Sequence, residues 1–423
     1  MYDVRSGMTT QCHSRSDAGK RRLWAKTRSP ADMRGSPRTA PRAARSGEAR
    51  QTGSLNPATR RAFHRDLVRW YQCHRRKLPW RVTRDPYKIW VSEIMLQQTR
   101  VEVVRDYYAR WLKSFPTLQS LASAPFSRVL KLWEGLGYYS RAKNLHRAAK
   151  ILAREHQGQL PSSADELRQL PGVGHYTAGA IASIAFGRRA PLVDGNVARV
   201  FTRVFNVQSD MTESSTQKLL RRLAEELLPQ RKAGTFNQAL MELGALVCTP
   251  ANPQCAACPL ASVCRAKLAG TQSKLPIRGA KEPQRLVVHN AAIIQRNGQV
   301  LLQQRPAVGL LAGMWQLPTI TGNHRLRRPV VQFRHTITNH KITLRVFACR
   351  SIQIVKNPGS RLRWVSHKHL NRLTIPAAHR RALQLLFPGA HQINGSCSSP
   401  VDRSSPRNNG YRSSSAAGAR VTD

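Results

Sequence analysis

The chain has 423 residues, 69 of them Lys or Arg against 22 Asp or Glu, a formal charge of +47. That length allows two or three domains with a sizeable core and excludes a disulfide-stapled miniprotein, while the charge makes a polyanion, nucleic acid first, the expected partner. No apolar run approaches the ~18 to 20 residues of a membrane span, and the start lacks the apolar core of a secretory signal, so the sequence reads as soluble and cytoplasmic with no membrane contact.

Residues 1–58 are rich in Arg, Ser, Ala, Gly and Pro and have almost no periodic apolar pattern. They are expected to form a disordered basic extension, with an organelle transit peptide or an upstream run from a misassigned start as the alternatives. From residue 63 to about 268 apolar residues recur at helical spacing, as Val197, Val200, Phe201 and Val204 do, which predicts a helical domain over residues 59–268. Gly270, Pro276, Gly279 and Pro283 among Lys and Arg mark a linker at 269–283. Beyond it the period changes: residues 286–294 and 300–304 flank Asn297-Gly298, a hairpin signal, and residues 341–349 alternate like a strand. A smaller α+β domain is predicted over 284–388 and a Ser-rich disordered tail over 389–423.

Four of the eight cysteines, Cys248, Cys255, Cys258 and Cys264, fall within 17 residues. Four thiolates at that spacing suit all-cysteine ligation of either an iron–sulfur cluster or a tetrahedral zinc, which spacing does not separate. In Leu170-Pro171-Gly172-Val173-Gly174-His175-Tyr176 a tight Gly-x-Gly turn precedes a small-residue helix. It is either an ordinary turn or a hairpin whose uncommitted N–H groups bind phosphate. Two carboxylates stand out in a chain short of acid. Glu93 borders a helix face formed by Trp90, Val91, Ile94 and Met95, where partial desolvation would keep it protonated near neutral pH, unless it is a rim glutamate in an ion pair. Asp194 precedes the Val197 helix as an N-cap, and bonds from helix N–H groups would keep it ionised. One proton donor and one fixed anion can cleave a glycosidic bond through an oxocarbenium-like state.

Trp80-Arg81, the Glu93 segment, Gly135-Leu136-Gly137-Tyr138-Tyr139-Ser140-Arg141, the Leu170 hairpin, Val193-Asp194-Gly195-Asn196-Val197 and the four cysteines closely resemble, in this order, the MutY-type adenine DNA glycosylases of the helix-hairpin-helix superfamily. The match runs almost continuously over residues 62–264. It implies a mainly α fold, the helix-hairpin-helix DNA glycosylase fold with a [4Fe-4S] cluster loop, followed by a smaller α+β Nudix-like domain. It also implies a monomeric, nucleoid-associated enzyme of base excision repair. The partner would be double-stranded DNA with adenine opposite 8-oxoguanine or guanine, the target flipped out of the duplex. Glu93 would protonate adenine N7 and later assist water, Asp194 would steady the charge on the sugar, and Tyr176 and Asn196 would orient those carboxylates. Trp80, Arg81 and Glu242 match pocket residues. Gln98, Leu136 and Tyr138 match residues that wedge into the stack or contact the opposite base, Thr99 lies beside Gln98, and Gly172, Val173 and Gly174 form the hairpin on DNA. The cysteines would hold the cluster.

Position 176 separates relatives: the endonuclease III branch carries a Schiff-base lysine after the hairpin, and a tyrosine cannot form the imine, which favours a monofunctional hydrolase. Gly309-Leu310-Leu311-Ala312-Gly313-Met314-Trp315-Gln316-Leu317-Pro318 resembles the Nudix-like module that reads 8-oxoguanine in this family. Residues 319–330 hold no Asp or Glu, so no pyrophosphatase activity is expected there. Many members place Phe-Ser-His after a His-Thr pair. Here His335-Thr336 precedes Ile337-Thr338-Asn339, which puts a hydroxyl at the serine position and an amide, unable to carry imidazole's charge, at the histidine position. The alternative for Thr338 and Asn339 is a strand edge of exposed polar residues.

Overall fold

Helical periodicity over the first half of the chain becomes a run of helices in the computed structural model, which describes residues 55–279, 283–321, 326, 328–355 and 361–388. They are α1 (Pro57–His74), α2 (Pro86–Leu96), α3 (Val101–Ser114), α4 (Leu118–Ser123), α5 (Phe126–Trp133), α6 (Ser140–Glu155), α7 (Ala164–Leu167), α8 (His175–Ile184), α9 (Gly195–Val204), α10 (Ser214–Leu227), α11 (Ala233–Leu246) and α12 (Arg265–Leu268). Their starts follow local chemistry. Asn56 accepts from Thr59 N at 2.8 Å with Pro57 at the first helical position, and Asp85 accepts from Tyr87 N at 2.9 Å with Pro86 behind it. The Asn-Pro cap therefore starts α1 two residues inside the segment expected to lack structure. Residues 1–54 of that segment, and the expected tail at 389–423, lie outside the described residues.

The helices bury two apolar cores. Trp90, Trp111 and Trp133 anchor one, built from α2 to α8, and each such side chain adds roughly 2–3 kcal/mol by leaving water. Phe63, Leu67, Phe201 and Phe236 anchor the other, between α1, α9, α10 and α11. Helix α8 serves both cores, giving Ala178, Ile181 and Ala182 to the first and Ala180 to the second. Its small residues permit this. A Cβ on Gly179 would lie 2.2 Å from the Pro191 carbonyl, and one on Gly234 of α11 would lie 2.3 Å from the Ser183 carbonyl, so backbones touch where larger residues would separate the layers.

The second domain has β1 (Arg285–Ile293), β2 (Gln295–Arg296), β3 (Gln299–Gln304), β4 (Trp315–Gln316), β5 (Val331–Ile337), β6 (His340–Ala348), β7 (Leu362–Ser366) and α13 (Ala377–Leu386). One sheet has the order β1-β6-β5, with β1 parallel and β5 antiparallel to β6. In the other, β3 pairs antiparallel with β2, β4 and β7. Asn297 and Gly298 take positive φ in the β2–β3 turn, as an Asn-Gly hairpin requires. Inward residues of both sheets, Ala291, Val300, Leu302, Leu344 and Val346, close a third core with Leu383 of α13. No described helix is long and apolar enough to cross a membrane.

Candidate active site

A cleft of about 690 Å³ lies where residues from the two helical cores meet, a size suited to a small organic group. Trp80, Arg81, Glu93, Gln98, Thr99, Tyr176, Asp194, Asn196 and Glu242 all line it, so one cavity collects expected residues from positions 80 to 242.

Helix α2 carries Glu93 into the cleft wall, where the residue is only 5% exposed. It is not the rim glutamate of the alternative. Burial pushes the Glu93 carboxyl up to about 7; the Tyr176 hydroxyl and Arg81 pull it down, and the Asp194 charge adds to the rise. Tyr176, in the first turn of α8, donates its hydroxyl to Glu93 Oε2 at 2.5 Å.

Asp194 caps α9. Its Oδ1 accepts from Val197 N at 2.7 Å and its Oδ2 from Asn196 Nδ2 at 2.9 Å. The expected bond from the helix start is present, and burial acts against it. Burial raises the Asp194 carboxyl, and the bonds from Val197 and Asn196 offset that rise only in part. Asn196 is held in turn by Arg199, which donates to Asn196 Oδ1 at 2.8 Å, to the Gly244 carbonyl at 2.7 Å and to the Cys248 carbonyl at 2.7 Å.

Glu242 on α11 is fully buried, with Arg81 donating to both oxygens at 2.7 Å and Arg76 to both through its Nε at 3.0 Å and Nη2 at 2.7 Å. Burial alone would raise its carboxyl, but the bonds from Arg81 and Arg76 hold it at about 2. Trp80 is buried edge-on against Tyr108, ring centroids 5.4 Å apart.

Outside the cleft, Gly172 takes φ +79° and its Cβ would meet Asn144 Cβ at 2.7 Å, so the hairpin needs glycine there. Gly174, which does line the cleft, caps α8 without a side-chain bond. Val173 is buried, so only its backbone can face a ligand. Tyr138 is 45% exposed at φ +45°. Leu136, between Gly135 and Gly137 at positive φ, is 6% exposed and packs into the first core, so only its backbone can face a ligand. Thr338 and Asn339 form the two-residue β5–β6 turn, with the β-branched Thr338 at φ +54°, an outlier for its type.

Cys248, Cys255, Cys258 and Cys264 surround one cavity together with Arg203 and Leu243, all four as free thiols. Arg203 Nη1 donates to Cys248 Sγ at 3.3 Å. Burial pushes the Cys258 thiol up to about 12, with the other three cysteines adding to the rise. Among the described residues, no three His, Cys, Asp or Glu side chains gather tightly enough to share one metal ion.

Three arginines escaped the sequence reading. Arg76 carries no local signal, since only the fold brings it to Glu242. Arg141 ends the Gly135 motif, and its guanidinium donates to the Ile94, Met95, Gln97, Leu136 and Gly137 carbonyls. Arg199 stands three residues after Asn196, the spacing of helix neighbours, which could have found it.

Comparison with known proteins agrees with this architecture. Residues 91–226 match the HhH-GPD superfamily of base excision DNA repair proteins and residues 290–385 match the NUDIX domain. The chain is 35% identical to the human adenine DNA glycosylase, covering 82% of this chain and 79% of that protein. It is 40% identical to the rat adenine DNA glycosylase over 65% of this chain and 64% of that protein. The adenine DNA glycosylase of Buchnera aphidicola subsp. Baizongia pistaciae is 37% identical over 60% of this chain and 73% of its own length. The chain belongs to the adenine DNA glycosylase family and is a DNA N-glycosylase of base excision repair.

Proposed function

We propose that the protein excises adenine mispaired with 8-oxoguanine or guanine in double-stranded DNA, by flipping the adenosine into the cleft and hydrolysing its N-glycosidic bond. One observation carries the chemistry: a buried carboxyl near pKa 7, bonded to Tyr176, lines the same cleft as the helix-capping Asp194. Glu93 gives its proton to adenine N7. The C1′–N9 bond then breaks with its electron pair leaving on the base, and the positive charge developing at C1′ and the ring oxygen is steadied by Asp194. Water adds to C1′, and the Glu93 carboxylate takes its proton. Tyr176 and Asn196 orient the two carboxylates. No amine occupies position 176, so the reaction stops at hydrolysis without a covalent imine.

Bound DNA would be held along three features. The uncapped start of α8 after Gly172 and Gly174 suits a phosphate. Gln98 and Tyr138 suit the stack and the opposite base; both sit at positive φ, as Thr338 does, and backbone outliers collect where binding demands them. Thr338 and Asn339 at the β5–β6 turn would read the base opposite adenine, where a hydroxyl and an amide discriminate by hydrogen bonds alone.

The four cysteines fit a [4Fe-4S] cluster. They ring one cavity as free thiols beside Arg203, the all-cysteine donor set that such a cluster takes. When bound, the cluster would serve structurally, fixing the loop from 248 to 264 beside Lys267 near the DNA.

Single-turnover base release tests the proposal, with adenine placed opposite 8-oxoguanine, guanine or cytosine. Release opposite the first two, lost in Glu93→Gln while DNA binding persists, is the expected result. Borohydride trapping of a protein–DNA adduct, or binding without release by the wild type, would overturn it.

A further inference from the structure

From residue 283 to residue 401 the chain has no Asp or Glu. The second domain therefore carries its Lys and Arg without a carboxylate of its own, and any acidic partner for it must come from elsewhere. Among the described residues one ion pair crosses to it: Arg380 of α13 donates to Glu134 Oε1 through Nε at 3.1 Å and Nη2 at 2.6 Å. The same oxygen accepts from Ile375 N at 3.2 Å. Glu134 Oε2 accepts from Lys131 Nζ at 2.5 Å, and Lys131 reaches across to the Leu373 carbonyl at 3.3 Å. Both side chains of the pair are less than a fifth exposed, so solvent screens it less than a surface pair.

Glu134 also occupies a particular place in the first domain. It caps the end of α5 and begins the Gly135–Gly137 turn that presents Tyr138. The turn is held tightly: Tyr107 donates its hydroxyl to the Glu134 carbonyl at 2.7 Å, and Gly135 N donates to the Tyr139 hydroxyl at 3.1 Å. Arg141 then joins the Leu136 and Gly137 carbonyls to the Ile94 and Met95 carbonyls, at the end of the helix that carries Glu93.

We infer that Glu134 and Arg380 are a positioning pair that docks the second domain onto the turn bearing Tyr138, so that what that domain reads on DNA bears on excision by the first. This rests on the proposal that the second domain reads the base opposite adenine. A domain of uniform positive charge repels itself and the basic body around it, and Glu134 supplies the local counter-charge that sets where it sits. Contiguous packing from Arg380 through Glu134, the turn and Arg141 to α2 gives the physical route for coupling.

The test uses the full chain with its cluster, in Glu134→Gln, Arg380→Glu and the exchange Glu134→Arg with Arg380→Glu. Two readouts are taken: the ratio of single-turnover excision rates opposite 8-oxoguanine and guanine, and the rate of tryptic cleavage at the exposed linker residues Lys274 and Arg278. Each single variant is expected to lower the rate ratio about tenfold and to speed linker cleavage, and the exchange to restore both. Unchanged cleavage and ratio in the single variants would overturn the inference. Faster cleavage with an unchanged ratio would overturn the coupling and leave a mere docking contact. A wild-type ratio near one, with cleavage still faster in the single variants, would sustain the docking and overturn the opposite-base reading on which the coupling rests.

Discussion

The Tyr176 hydroxyl lies 2.5 Å from Glu93 Oε2, and that contact lowers a carboxyl that burial holds near 7. A general acid with that pKa works at neutral pH and loses its proton above it. The value of kcat/KM for excision should therefore fall as pH rises through about 7. Tyr176→Phe removes a bond that favours the charged form, so its alkaline limb should move upward by about half to one pH unit. An unchanged or lower limb would remove Tyr176 from this role.

The same burial has a stability signature. Glu93 has a folded pKa raised above its unfolded value of 4.5, so the native state favours its protonated form. That advantage is fully present below pH 4.5 and is lost as pH rises through about 7. Glu93→Gln cannot ionise, and should raise the unfolding free energy by roughly 3 kcal/mol at pH 8 while changing it little at pH 4.5. Chemical denaturation at the two pH values decides it; equal effects at both would mean that the carboxyl is not desolvated.

Gly244 sits where α11 crosses α9, and a Cβ there would lie 2.6 Å from Asn196 Cβ. Gly244→Ala should cost about 1–3 kcal/mol through overpacking. It should also lower the excision rate about tenfold, because the displaced Asn196 carries the amide that orients Asp194. Wild-type turnover in a destabilised variant would show that Asp194 does not depend on that amide.

Leu136 and Tyr138, two residues apart, should behave oppositely. Leu136→Ala empties part of the first core and should cost about 2–4 kcal/mol of stability. Tyr138→Ala touches an exposed side chain, so it should leave the thermal midpoint nearly unchanged and weaken binding to a mispaired duplex. A destabilised Tyr138 variant and a stable Leu136 variant would reverse the assignment of the two side chains.

Much of the site was legible because it rests on short-range rules. A glycine turn before a small-residue helix, an Asp before an apolar helix and four clustered cysteines each announce a local geometry. What was not legible shares a cause. The burial of Leu136 in the first core, between two glycines at positive φ, depends on packing that a turn motif does not announce. Arg76 and Glu242 are 166 residues apart, and neither has a neighbour that hints at the other.

By itself the sequence determined the helical first domain, the β-rich second domain, the motifs of the site and the basic character of the whole, because periodicity, turn chemistry and charge act within a few residues. Only the tertiary structure decided the chemistry of the carboxylates. Burial raises the Glu93 carboxyl to about 7, Asp194 is raised by burial despite its cap, and Glu242 is held low because two distant arginines reach it. Desolvation and long-range pairing are properties of the packed chain, and a carboxyl's proton affinity depends on both.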